Sequence, residues 1–97
     1  MDKKIVGYIT GTMDFTFKVF KVAEIHNLFV SENYRRNKIG THLVDAFVSW
    51  CQQNKVFLLF VEHYINDIKA SKFYNDVGFE SSKYNARPKK IRLQRVL

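Results

Sequence analysis

The sequence predicts an α/β domain with a mixed sheet, and three observations lead there. Segments rich in β-branched and aromatic residues fill both ends of the chain. Residues 56–61 form a continuous apolar run of strand length, as expected for a strand buried on both faces. Helical periodicity brackets that run on either side. A strand, a helix and a second strand in succession form a crossover, which normally joins parallel neighbours.

Each element follows in order. Ile5-Val6-Gly7-Tyr8-Ile9-Thr10 reads as a strand and residues 11–14 as a turn. Phe15, Phe17 and Val19 then alternate with Thr16, Lys18 and Phe20, which predicts a return strand. The apolar phase slips over residues 20–23, so a bulge or break is expected there, followed by a strand over 22–30. Residues 31–38 are polar and predict a loop. Ile39, Leu43, Ala46, Phe47 and Trp50 fall at helical spacing and predict an amphipathic helix to about Gln53. After the apolar run, Asn66 or Asp67 can cap a second helix, with Ile68, Phe73 and Val77 on its apolar side and Gly78 as its stop. Strands over 79–84 and 89–96, joined by Asn85-Ala86-Arg87-Pro88, complete the chain. The expected organisation is one domain over residues 1–97, without repeats or low-complexity segments.

Composition sets bounds on function. The apolar share is 46% and the aromatic share 15%, enough for a folded core. Cys51 is the only cysteine, which excludes an internal disulfide and a cysteine-rich zinc site. The sequence has no apolar run of signal-peptide length at its start and none approaching the ~20 residues of a membrane span. A soluble cytoplasmic protein is the default expectation. The net charge of +7 suits nucleic acid, an anionic surface or a polyphosphate cofactor. Lys83, Arg87, Lys89, Lys90, Arg92 and Arg95 follow Glu80 with no carboxylate among them. A charged edge strand kept soluble explains them as well as binding does.

The strand–loop–helix junction at residues 30–41 is the most informative stretch. The first N–H groups of a helix lack intrahelical partners and favour anions. Gly40 permits close backbone approach, Arg35, Arg36 and Lys38 add charge, and Thr41 offers a hydroxyl. A basic helix start with no ligand is the competing reading of this short motif.

Two blocks carry a family resemblance. Leu28-Phe29-Val30, followed by Tyr34-Arg35-Arg36-Asn37-Lys38-Ile39-Gly40-Thr41-His42-Leu43, resembles the acetyl-CoA signature of GNAT-superfamily N-acetyltransferases. That signature is Arg or Gln, two residues, Gly, one residue, then Gly or Ala. Arg35 and Gly40 match it, and Lys38 replaces the usual first Gly. The block from Asn66 through Ala70, Phe73-Tyr74 and Gly78-Phe79 is similar to the second signature of the family.

The resemblance implies a GNAT-like acyl-CoA N-acyltransferase fold that lacks the usual first strand and two helices. It implies acetyl-CoA as cosubstrate and direct transfer of acetyl to a primary amine. Leu28, Phe29 and Val30 would lie along the pantetheine arm. Residues Arg35, Arg36, Asn37, Lys38, Ile39, Gly40 and Thr41 would hold the pyrophosphate. Asn66, Ala70 and Phe73 would flank the pantetheine, although core packing explains Phe73 equally well. Tyr74 would be the general acid that reprotonates the CoA thiolate, against the plainer role of a phenol capping the core. Glu24 or His26 would be the base, and two residues apart on a strand they share a face. His26, His42 and His63 match no metal-ligand spacing, so no metal is expected.

The elements expected to be missing normally form one wall of the acceptor site. A fragment of a longer protein, a minimal enzyme for a large exposed amine, and a homodimer in which a second copy supplies that wall are the three open explanations. An acyl-CoA-binding or regulatory module without turnover is the alternative function. A nucleic-acid-binding domain is a third, unsupported by any reading helix or aromatic RNA-binding motif.

Overall fold

The computed structural model describes residues 6–16, 20–82 and 87–97. A five-stranded mixed sheet carries two helices in the order β1 (Gly7–Thr16), β2 (Phe20–Val30), α1 (Ile39–Gln53), β3 (Val56–Tyr64), α2 (Ile68–Asp76), β4 (Glu80–Ser81) and β5 (Lys90–Val96). The strands lie in the order β1-β2-β3-β5-β4. β2 and β3 are parallel and the other neighbours antiparallel, so the crossover and the mixed sheet are as expected.

The N-terminal part differs from the expected three strands. β1 runs through residues 11–14 instead of turning there, and it pairs with β2 as far as Thr16↔Phe20. Residues 17–19, the centre of the predicted return strand, lie outside the described residues, as do Ile5 and residues 83–86. Gly11 signals close approach and not a turn. A Cβ placed on it would lie 2.5 Å from the Phe47 ring of α1. Opposite Gly11 the register shifts, with Thr10↔Asn27 followed by Gly11↔Ile25, so His26 is the extra residue of a bulge. The phase slip near residues 20–23 corresponds to a second irregularity, Lys21↔Val56 followed by Val22↔Leu58.

The polar stretch before α1 is coiled and not open, with a 3-10 helix over Glu32–Asn37. Lys38 then turns into the left-handed region at φ 57° and starts α1. The buried stripe of α1 is Val44, Phe47, Val48 and Cys51, rotated from the predicted one. Ala46 is exposed and Trp50 is 42% exposed. The four buried positions recur at intervals of three and four, so they form a continuous face against the sheet. Cys51 is fully buried, and burial pushes its thiol up to about 11, so it stays protonated and inert. Asp67, not Asn66, caps α2, accepting from the Ala70 N–H at 3.0 Å. Gly78, at φ 101°, ends α2 as predicted, whereas Ile68 is 78% exposed and lies off its buried side.

One core joins both helices to one face of the sheet. Ala23, Ile25, Leu59, Val61 and Leu93 pack there with the α1 stripe, Tyr74 and Phe79. The opposite face carries the Tyr8–Phe29 ring pair, 5.4 Å apart and partly exposed, and Phe60 beneath the Arg92 guanidinium at 4.2 Å.

The feature that positions a site is the end of the parallel ladder. β2 and β3 pair from Lys21↔Val56 to Ile25↔Val61. Beyond that, β2 continues to Val30 on the arm of β1, and β3 continues to Tyr64 on β5. The two strands part, and a cleft opens between them.

Candidate active site

Two cavities of the cleft meet at Leu28. The first, about 490 Å³, lies at the start of α1 and is lined by Leu28, Val30, Arg35, Lys38, Gly40 and Thr41, with Lys69 and Phe73 from α2. The glycine keeps α1 and α2 close, since a Cβ on Gly40 would sit 3.3 Å from the Phe73 ring. The opening N–H groups of α1 have no partner within the helix and carry its positive end. Lys38, Lys69 and Arg35 add formal charge around them. Arg35 also ties the loop to the strand, with Nε donating to the Val30 carbonyl at 3.1 Å. This cavity can hold a phosphorylated group at its helix end and an apolar arm along β2.

The second cavity, about 450 Å³, is lined by carboxylates, imidazoles and phenols. Tyr74 is only 8% exposed and packs edge-on against Phe73 and Phe79 at 5.2 and 5.5 Å. Burial, with the nearby Asp67 carboxylate, pushes its phenol up to about 12. Tyr74 therefore carries its proton at neutral pH and can donate it. Glu62, with its side chain 2% exposed, accepts from the Arg87 backbone N–H at 2.9 Å and from Arg87 Nε at 2.6 Å. Burial alone would raise the Glu62 pKa. The Arg87 hydrogen bonds, with the charges of Arg87 and Arg92, outweigh it and hold the carboxyl below the usual glutamate value. His63 is 6% exposed; its Nδ1 bonds the Tyr64 carbonyl at 2.8 Å, and its Nε2 has no partner among the described residues.

The residues singled out in the sequence are distributed as follows. Leu28, Val30, Arg35, Lys38, Gly40, Thr41 and Phe73 line the first cavity, and His26, Ala70 and Tyr74 line the second with Leu28. Ile39 packs towards Gly7 instead, and Phe29 faces Tyr8 outside both cavities. Glu24 pairs with Thr12 on one side and Phe60 on the other, also outside both. His26 Nε2 bonds Thr12 Oγ1 at 2.8 Å, so His26 and Glu24 flank the same threonine. Asn66 lies on the exposed turn beside Tyr64, Ile65 and Lys89, away from the two cavities. The side chains of Arg36 and Asn37 are outside the described residues. Sequence reasoning missed Lys69, Asp67 and His63 as lining residues, having weighed His63 only as a metal ligand. Helical spacing carried the signal for Lys69, four residues before Phe73 on one face of α2.

Comparisons with known proteins agree on one family. The model of the acetyltransferase (GNAT) family matches residues 1–79. N-alpha-acetyltransferase 30 of Xenopus laevis is 32% identical over 81 residues, covering 84% of this chain and 30% of the frog protein. Among solved structures, the NatC complex bound to Gag peptide and CoA superposes with a TM-score of 0.82 at 24% identity, over 95% of this chain and 61% of that one. Ard1 from Thermoplasma volcanium superposes with a TM-score of 0.77 at 26% identity, over 95% and 63%. Naa50 of Arabidopsis thaliana, in complex with the bisubstrate analogue CoA-Ac-MVNAL, superposes with a TM-score of 0.79 at 22% identity, over 95% and 66%. The chain thus spans less than two thirds of the length of each of these relatives.

Proposed function

The chain belongs to the acetyltransferase (GNAT) family, and on that footing we propose that it transfers the acetyl group of acetyl-CoA to the amino terminus of a peptide. The observation that carries this reading is the parted strand pair, whose two chemically different cavities meet at Leu28. The cofactor's pyrophosphate sits at the opening N–H groups of α1, with Lys38, Lys69 and Arg35 around it. The pantetheine arm runs along the freed edge of β2 at Leu28 and Val30 like an added strand. The thioester then lies where the cavities join. The acceptor enters beside Asp67, whose carboxylate favours an ammonium, and beside the Glu62–Arg87 pair and Lys90. After the amine attacks the carbonyl carbon and the C–S bond breaks, Tyr74 gives its phenolic proton to sulfur. The kinship with N-alpha-acetyltransferase 30 supports an N-terminal amine as the acceptor.

Acetyl-CoA is expected to raise the melting temperature, as any ligand of the folded state does. CoA release should then follow with peptides and not with polyamines or aminoglycosides. Stabilisation without release on any acceptor would replace transfer with acyl-CoA binding alone. Absence of both would reject the reading.

A further inference from the structure

Among the described residues, two buried side-chain nitrogens lack a hydrogen-bond partner, His63 Nε2 and Arg92 Nε. The Arg92 guanidinium lies over the Phe60 ring, a favourable place for a cation. His63 has no comparable compensation. Its ring is fixed by Nδ1 against the Tyr64 carbonyl at 2.8 Å. A carbonyl oxygen only accepts, so Nδ1 carries the hydrogen. In the neutral ring Nε2 is then a lone pair, held in place and unused.

The other candidate bases around the acceptor cavity are engaged in whole or in part, or lie outside it. Glu62 is held through both oxygens by Arg87. Asp67 Oδ1 caps α2 through the Ala70 N–H. His26 is exposed and its Nε2 is bonded to Thr12. Glu24 lies outside the cavity. We propose that His63 is the general base of the acetyl transfer, taking the acceptor's proton on Nε2; the proposal rests on the acetyltransferase reading of the cleft.

His63 lines the acceptor cavity, with Nε2 itself shielded from solvent until a ligand or water reaches it. His63 also borders a further cavity of about 430 Å³ on the far side of α2, where Lys72 and Asp76 stand exposed. The titratable groups around the imidazole come from every neighbouring element. Glu62 and Tyr64 lie on its own strand, and His26 and Lys90 on β2 and β5. Tyr74, Lys72 and Asp76 come from α2, with Asp67 at its cap.

The protons balance. An ammonium N–H bond breaks and an Nε2–H bond forms, leaving the amine lone pair free to attack the thioester carbonyl. As the C–S bond breaks, sulfur takes the Tyr74 proton. The tetrahedral nitrogen gives up a second proton, which restores the Tyr74 phenol. The third stays on the amide. The imidazolium returns its proton to solvent.

The test uses the full chain, acetyl-CoA and a peptide beginning Met-Val-Asn-Ala-Leu, with spermidine and an aminoglycoside beside it. His63→Gln should lower kcat/KM by about 10²-fold or more and move the rising limb of the pH profile towards the pKa of the amine itself. The acetyl-CoA thermal shift should persist, which shows that the variant is folded. Imidazole added to His63→Ala should restore part of the rate. Without any variant, long-range 1H–15N spectra of the wild type should place the proton on Nδ1, and the His63 titration should coincide with the kinetic limb. An active wild type whose limb stays in place in His63→Gln, or whose His63 titration falls away from it, overturns this inference alone. A wild type inert with all three acceptors overturns the acetyltransferase reading and this inference with it.

Discussion

On the proposed reading the cleft has a cofactor half and an acceptor half, and the two are built in opposite ways. The cofactor half relies on backbone, with the opening turn of α1, the freed edge of β2 and a glycine that lets Phe73 approach. The acceptor half relies on side chains drawn from β2, β3, α2 and β5. A backbone cradle tolerates sequence change, as Lys38 in the usual glycine position illustrates. Only main-chain N–H groups are needed there, and a left-handed φ of 57° is open to lysine at modest cost. A side-chain site has no such tolerance, because each atom has a specific partner. Substitutions in the acceptor half should therefore cut rate steeply, and those in the cofactor half should weaken binding gradually.

Tyr74→Phe is the sharpest test of that contrast. It should lower kcat by ~10²–10⁴-fold while the acetyl-CoA thermal shift is retained. An unchanged rate would remove Tyr74 as the acid. The same variant has a signature in stability. The folded protein holds the phenolic proton to about pH 12 against an ordinary value of 10.0. That stabilisation is complete below pH 10, and it is lost as pH rises through about 12. Tyr74→Phe should remove this part of the alkaline loss in denaturation curves.

Gly40→Val comes next, because its side chain would press on the Phe73 ring. Overpacking of this kind typically costs about 1–3 kcal/mol, and here acetyl-CoA affinity should fall with it. Asp67→Ala tests the helix cap and the acceptor cavity together. Loss of an N-cap costs about 0.5–2 kcal/mol, and loss of the carboxylate should also raise the KM for the amine. A pure stability effect would show that Asp67 serves the helix alone. Lys38→Ala and Lys69→Ala should each weaken acetyl-CoA by only about 0.2–1 kcal/mol, as exposed ion pairs do. That loss should shrink further at high salt. A large, salt-independent loss from either would mean that the cradle depends on side chains after all.

The same contrast governs how much was legible in the sequence. The crossover and the helix starting at Ile39 are local patterns that periodicity carries, the stop at Gly78 is carried by its glycine, and the loop residues of the first cavity by a short basic motif. The misreading of residues 11–14 as a turn has a local cause too, since a glycine that admits the Phe47 ring looks like a turn glycine until α1 is in place. The acceptor half was harder to read. His63 looked like one of three scattered histidines, and what distinguishes it is that Nδ1 is bonded while Nε2 is not, which no spacing reveals. Glu24 illustrates the reverse, since strand position suggested a base and the tertiary structure leaves it outside the cavity. Asn66 and Asp67 were equivalent as caps in sequence, and the Ala70 N–H decides between them.

On the proposed reading the parted strands receive the cofactor with its phosphates at the start of α1. Backbone amide shifts of the labelled protein, recorded as CoA is added, test it most directly. The predicted result is a set of large shifts confined to residues 28–30 and 38–41, with Lys69 and Phe73 beside them. Amides in those segments that stay unmoved at millimolar CoA, or shifts centred on the Tyr8–Phe29 face instead, would contradict it.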